Sequence, residues 1–164
     1  MACPPPSAPA PALYVSDGYR VRLAPGVLAK ALRLARVRAP LETGGLLLGA
    51  VVDGEAHVLA VTGPGRRALR GRVGFEADRV RDNRLLGRVR PRLRYLGDWH
   101  THPGGPARLS RTDEASVREC LSADRPEVLH LLLSGPSAMQ GQVVASVFTA
   151  VRGEAAIRRM EVVS

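Results

Sequence analysis

With 164 residues, 45% of them hydrophobic, the chain fits one domain of ordinary size, and its few aromatics (two Phe, three Tyr and Trp99) leave the core to Leu, Val and Ala. The net charge of +9 is almost all arginine, Lys30 being the single lysine; without aromatic–basic repeats or zinc-finger cysteine pairs, a GC-rich composition explains it more simply than a nucleic-acid partner. Two distant cysteines, Cys3 and Cys120, argue against a disulfide scaffold, and the absence of a signal peptide or a membrane-length apolar run points to a soluble protein of the cytoplasm.

Residues 1 to 11, MACPPPSAPAP, form a Pro/Ala/Ser tract with little to bury, read as a disordered tail ahead of a single domain over 12 to 164. Alternating apolar residues over 13 to 23, interrupted by Ser16-Asp17-Gly18, predict a hairpin. Residues 25 to 38, PGVLAKALRLARVR, place Val27, Leu28, Ala31, Leu32 and Ala35 at helical spacing, with Pro25 suited to the first turn and Pro40 to the stop. The run 41 to 52, LETGGLLLGAVV, and the alternating GEAHVLAVTG after it read as two core strands joined at Asp53-Gly54.

The stretch 75 to 90 reads as an amphipathic helix, with Phe75, Val80, Leu85, Leu86 and Val89 inward and Arg81, Arg84 and Arg88 solvated. A strand over 93 to 102 ends at Pro103, a helix over 110 to 121 opens on a capping box, Ser110-x-x-Asp113, and strands follow at 128 to 133 and 143 to 151. The C-terminus carries no readable element. This alternation, with two hairpins, predicts an α/β (mixed α+β) fold: a mixed sheet flanked by helices. A doubly wound nucleotide fold is disfavoured, because no glycine fingerprint follows a strand before a helix.

The chemistry concentrates in GDWHTHPGGPARLSRTDE, which begins at Gly97. Residues two apart on a strand share a face, so His100 and His102 point one way and Trp99 and Thr101 the other. Alone, His-x-His is more often structural than functional, and Ser-x-x-Asp more often a cap than a ligand set. Together they carry more: Pro103 and two glycines end the strand, and a short loop returns a helix with Asp113 one turn in. Two histidines and one carboxylate leave a fourth position open, the design of a catalytic zinc. A water there still needs a base. Glu42, a charged residue opening an apolar strand, is the candidate; a solvated strand end is the alternative. Asp98, two before His100, reads as an outer-shell acceptor fixing a histidine, a substrate-facing group or a solvated strand residue. Trp99 reads as core, and His57 and His130, far from the motif in sequence, as structural. The zincin and deaminase motifs are absent. A non-haem iron site would use the same ligand types but has no use for Ser110 or Glu42.

Glu42 in LETGGLLLG, His100 and His102 in WHTHP, the seven residues between His102 and Ser110, and Ser-x-x-Asp ending at Asp113 together resemble the motif of the JAMM, or MPN-plus, zinc isopeptidases, over roughly residues 13 to 151. The resemblance implies that His100, His102 and Asp113 bind one Zn2+, that Glu42 orients and deprotonates water, and that Ser110 stabilises the oxyanion. It implies a curved mixed sheet of the MPN, cytidine-deaminase-like architecture, and cleavage after the C-terminal glycine of a ubiquitin-like protein. All the ligands are retained, unlike in scaffold MPN domains, and no insertion follows Asp113, which resembles compact bacterial members. Such proteins accompany activating- and conjugating-enzyme-like partners, including in anti-phage systems, or trim sulfur-carrier precursors. The expectation of another class is a non-catalytic, arginine-rich adaptor for an acidic partner or nucleic acid.

Overall fold

Asp17 and Gly18, with φ of 41° and 87°, turn β1 (Ala12–Ser16) back onto β2 (Tyr19–Leu23), and Asp53 and Gly54, at 50° and 77°, do the same for β3 (Gly44–Val52) and β4 (Glu55–Val61). Both hairpins fall where the short polar and glycine residues allow a left-handed backbone. They belong to a computed structural model that describes residues 12–163; the expected tail over 1 to 11 lies outside the described residues. The remaining elements are α1 (Pro25–Arg38), β5 (Leu69–Arg70), β6 (Phe75–Glu76), α2 (Arg79–Val89), β7 (Arg94–Pro103), α3 (Arg111–Glu119), β8 (Glu127–Gly135), β9 (Val144–Val151), β10 (Arg158–Arg159) and β11 (Glu161–Val163).

Nine strands form one mixed sheet in the order β10-β9-β8-β7-β3-β4-β2-β1-β11, and β5 and β6 form a separate ribbon. The mixed α/β architecture is the one expected. β7 and β8 are parallel, so the chain must cross over between them. That crossover carries α3 and fixes it beside both strands, which brings Asp113 back to the strand of the histidines.

α1 covers one face. Its buried residues Val27, Ala31 and Ala35 pack against Val21, Leu23, Val58, Val61, Leu47, Trp99, Leu131 and Leu133 in a sealed apolar core. On the opposite face a small cluster of Val117, Val128 and Ala150 is supported by Tyr95, Leu121 and Ile157. Trp99 is core, as expected: it is buried, and its indole N–H donates to Thr62 O at 2.9 Å. No helix among the described residues is long and apolar enough to cross a membrane.

The structure corrects two elements. The helix expected from Phe75 begins only at Arg79, because the Asp78 carboxylate caps it by accepting from Arg81 N, while Phe75 pairs with Arg70 in the β5–β6 ribbon. Val80 is therefore half exposed instead of inward. The unassigned C-terminus supplies β10 against β9 and β11 against β1; strands of two and three residues are too short to show a period.

Candidate metal centre

β7 sets the geometry. Its register against β3 shifts between Gly97, paired with Leu47, and Tyr95, paired with Leu48, leaving Leu96 as an extra residue. Gly97 takes φ 154°, and a Cβ there would meet Leu129 O at 1.8 Å, so only glycine lets the bulged strand run this close to β8. Beyond the bulge Asp98, His100 and His102 share one face and Trp99 and Thr101 the other.

The His100 and His102 Nε2 atoms lie 2.9 Å apart. Asp113, from the first turn of α3, places Oδ1 3.4 Å from His100 Nε2 and Oδ2 3.3 Å from His102 Nε2. Three ligand atoms thus converge within 4.8 Å, and all three residues are buried or nearly so. Tetrahedral ligands on bonds of 2.0–2.1 Å would sit about 3.3 Å from one another. His102 Nδ1 lies 3.1 Å from Pro106 O, an acceptor only, so Nδ1 keeps its proton and Nε2 faces the cluster, donating to Asp113 when the ring is protonated and offering a lone pair to a cation when it is neutral. Lone pairs and a carboxylate crowded together suit a cation, and the donor set fits a divalent metal.

Ser110 and Asp113 hold α3 in register. Ser110 Oγ accepts from Asp113 N at 3.1 Å and Asp113 Oδ2 accepts from Ser110 N at 2.7 Å, a complete capping box. Cap and ligand are compatible uses of one carboxylate. Burial opposes charge on Asp113, but hydrogen bonds from His100, His102 and Ser110 hold its carboxyl well below the usual range. His102 is raised, first by its hydrogen bond to Asp113 and against burial.

Glu42 arrives from the other side. Thr43 N donates to Thr101 Oγ1 at 3.0 Å and Thr101 N to Thr43 O at 2.9 Å, which extends the β3–β7 pairing one step past Gly44 and His100. A Cβ on Gly44 would meet Trp99 O at 2.2 Å, so this close approach also requires glycine. Glu42 N donates to Gly71 O at 2.8 Å, tying the segment to the β5–β6 ribbon. Its side chain is buried with the residue at 8% exposure, which disposes of the solvated strand end. Burial pushes its pKa up to about 7, with His102 lowering and Asp113 raising it. A carboxyl poised near neutrality can both take and return a proton. Glu42, His102, Ser110 and Asp113 line a cleft of about 560 Å³ between the ribbon, at Arg72 to Phe75, and the loop of residues 103 to 110.

Asp98 shares the histidine face, but its Oδ2 accepts from Tyr95 Oη at 2.7 Å and from Cys120 Sγ at 3.5 Å. Burial raises its pKa against those two hydrogen bonds. The structure brings His130, not Asp98, against a motif histidine: His130 Nε2 is 2.6 Å from His100 Nδ1. The reading of His130 as far from the site is corrected. Its signal is a histidine at a site-facing position of a strand, legible only once β8 is known to lie beside β7. His57 pairs instead with Glu55 at 3.0 Å on the other half of the sheet.

A mixed sheet holding a two-histidine, one-carboxylate cluster, with a buried glutamate across a cleft, defines the hydrolytic metal-site class of protein. Residues 25–152 match the family described as prokaryotic homologs of the JAB domain, and the chain belongs to that family, which is one of hydrolases. This agrees with the JAMM/MPN-plus resemblance carried by the motif. The chain is 34% identical over 128 residues to the CD-NTase/cGAS isopeptidase of Enterobacter hormaechei subsp. hoffmannii (strain UCI 50), covering 74% of this chain and 69% of that protein. It is 36% identical over 110 residues to the probable metalloprotease y4qB of Sinorhizobium fredii (strain NBRC 101917 / NGR234), covering 58% of this chain and 65% of that one. A solution structure of a Desulfitobacterium hafniense protein shares the fold, at a TM-score of 0.65 and 23% identity over 84% of this chain and 87% of that chain.

Proposed function

We propose that the protein is a zinc-dependent isopeptidase or peptidase that hydrolyses the bond after the C-terminal glycine of a ubiquitin-like protein. The observation that carries this reading is the convergence of His100, His102 and Asp113 beside a buried Glu42 that shares one cleft with His102 and Asp113. His100, His102 and Asp113 would hold the zinc, which when bound supplies Lewis acidity, acidifying water and polarising a carbonyl. Glu42 takes the proton from the attacking water and returns it to the departing lysine or peptide amine. Ser110 Oγ accepts the Asp113 N–H and keeps its own hydrogen to donate to the developing oxyanion. Gly74, Gly104 and Gly105 line the cleft, and the lack of side chains there supports a slender, glycine-ended tail as the segment that enters.

The name of the Enterobacter relative supports an isopeptidase acting on conjugates. On this support the proposed setting is deconjugation or precursor maturation beside activating- and conjugating-enzyme-like partners in a bacterial defence system, with processing of sulfur-carrier precursors as the alternative. The adaptor reading has one observation in its favour: eleven arginines and three acidic residues lie between Arg66 and Arg94. Metal analysis separates the two, because an adaptor has no need of stoichiometric zinc. The test is a reporter fused after the terminal glycine of a ubiquitin-like protein from a neighbouring gene, incubated with and without chelator. Chelator-sensitive cleavage is expected; a purified chain that neither binds zinc nor cleaves any such fusion overturns the reading.

A further inference from the structure

The metal-site reading leaves one buried group beside the cluster without a role. We infer that His130 is a positioning residue for the metal site, holding His100 in the tautomer whose Nε2 lone pair faces His102 and Asp113. This rests on the metal-site reading above. The geometry begins with the register of β8 on β7, which sets His130 beside Asp98, so the His130 side chain rises on the site face next to His100. The two rings lie 4.7 Å apart between centroids at 60°, with His100 Nδ1 2.6 Å from His130 Nε2.

Only one proton fits between two ring nitrogens at that distance. If it belongs to His130, His100 Nδ1 accepts, the remaining His100 proton sits on Nε2, and His100 is no ligand. If it belongs to His100, the His130 Nε2 lone pair accepts, and His100 Nε2 is free to bind a cation. The second arrangement is the one that matches His102, whose Nδ1 is held by Pro106 O. The two ligand histidines are thus oriented by different neutral acceptors, a backbone carbonyl and an imidazole. A ligating histidine more often leans on a carboxylate, which raises its basicity. Unlike a carboxylate behind His100, a neutral partner adds no negative charge around the cluster beyond that of its carboxylates, and so would offset less of a divalent cation's charge. Asp98, the nearby carboxyl that could have served, is occupied by Tyr95 and Cys120.

The experiment measures metal affinity and ligand field in the full chain, apart from turnover. His130→Leu, which fills the space without an acceptor, should weaken Zn2+ binding by about 10- to 100-fold in a competition titration with a chromophoric chelator and change the visible spectrum of the Co2+-substituted protein. His130→Gln, whose Oε1 can accept the same N–H, should recover part of both. Wild-type zinc affinity and an unchanged Co2+ spectrum in His130→Leu overturn the inference while leaving the metal-site reading intact; a wild-type chain that binds no zinc overturns both. A measurement on the zinc-loaded wild type covers the case of a variant that does not fold. Long-range 1H–15N correlations should place the shared proton on His100 Nδ1, and a proton found on His130 Nε2 overturns the inference.

Discussion

The two faces of the sheet use the same strands to opposite ends. Toward α1, the side chains of Leu47, Trp99, Leu131 and Leu133 are sealed, and the indole N–H has its carbonyl partner. Toward α2 and α3, β7 and β8 present Asp98, His100, His102 and His130, and the apolar cover shrinks to a cluster around Val117, Val128 and Ala150. Alternation along two strands therefore gives rigidity to one side and chemistry to the other. The two histidines are preorganised because their β7 neighbours Trp99 and Thr101 are locked on the far face, and Asp113 is held by its capping box with Ser110.

If that division holds, substitutions on the two faces should fail differently. On the site face, Glu42→Gln should cut turnover by about 10²- to 10⁴-fold while zinc content and the unfolding midpoint stay near wild type; full turnover removes Glu42 from the mechanism. On the core face, Trp99→Ala should cost about 3–5 kcal/mol in a denaturant titration, and an unchanged midpoint would mean that the α1 side does not anchor the sheet. Ser110 straddles the comparison. Ser110→Ala should lose about 1 kcal/mol of stability with its cap and about 10²-fold in kcat with its donor. Ser110→Asp keeps a capping acceptor, so it should restore the stability and not the rate; recovery of both would confine Ser110 to capping.

The smallest effect is a pH dependence confined to the site face. In the proposed mechanism Glu42 acts deprotonated, so kcat/KM should fall as pH drops through its pKa, raised by burial to about 7. A bound divalent cation favours the carboxylate and moves that limb lower, so its midpoint should lie at or below about pH 7. A Glu42→Asp variant should shift the limb. A rate indifferent to pH across about 5 to 8 would mean that another group takes the proton.

Much of this division is legible in the sequence. Trp99 and Thr101 on one side with His100 and His102 on the other follow from strand period alone, and the capping box at Ser110 and Asp113 predicts where α3 starts. The Asp53-Gly54 turn is equally local. What escapes is what depends on neighbours distant in sequence. His130 meets His100 through a parallel pairing whose partners are some thirty residues apart, and nothing in VLHLLL distinguishes a site histidine from a core one. The β5–β6 ribbon hides because Phe75, eleven residues before Leu86 and fourteen before Val89, falls on their helical face. The Asp78 cap that ends the fit is one short residue. Asp98 is placed on the right face by its period, yet its partners, Tyr95 and Cys120, are set by the bulge at Leu96 and by the packing of α3.

The hydrogen bond from Glu42 N to Gly71 O joins the rim of the cleft to its floor. Gly71 N in turn accepts no slack, since it donates to Gly74 O at 2.7 Å across the ribbon's turn. In the proposed reaction, a tail drawn against the ribbon at Arg72 to Phe75 would press on the same peptide linkage that carries the glutamate. Grip on the incoming chain and aim of the proton acceptor would then share one mechanical coordinate.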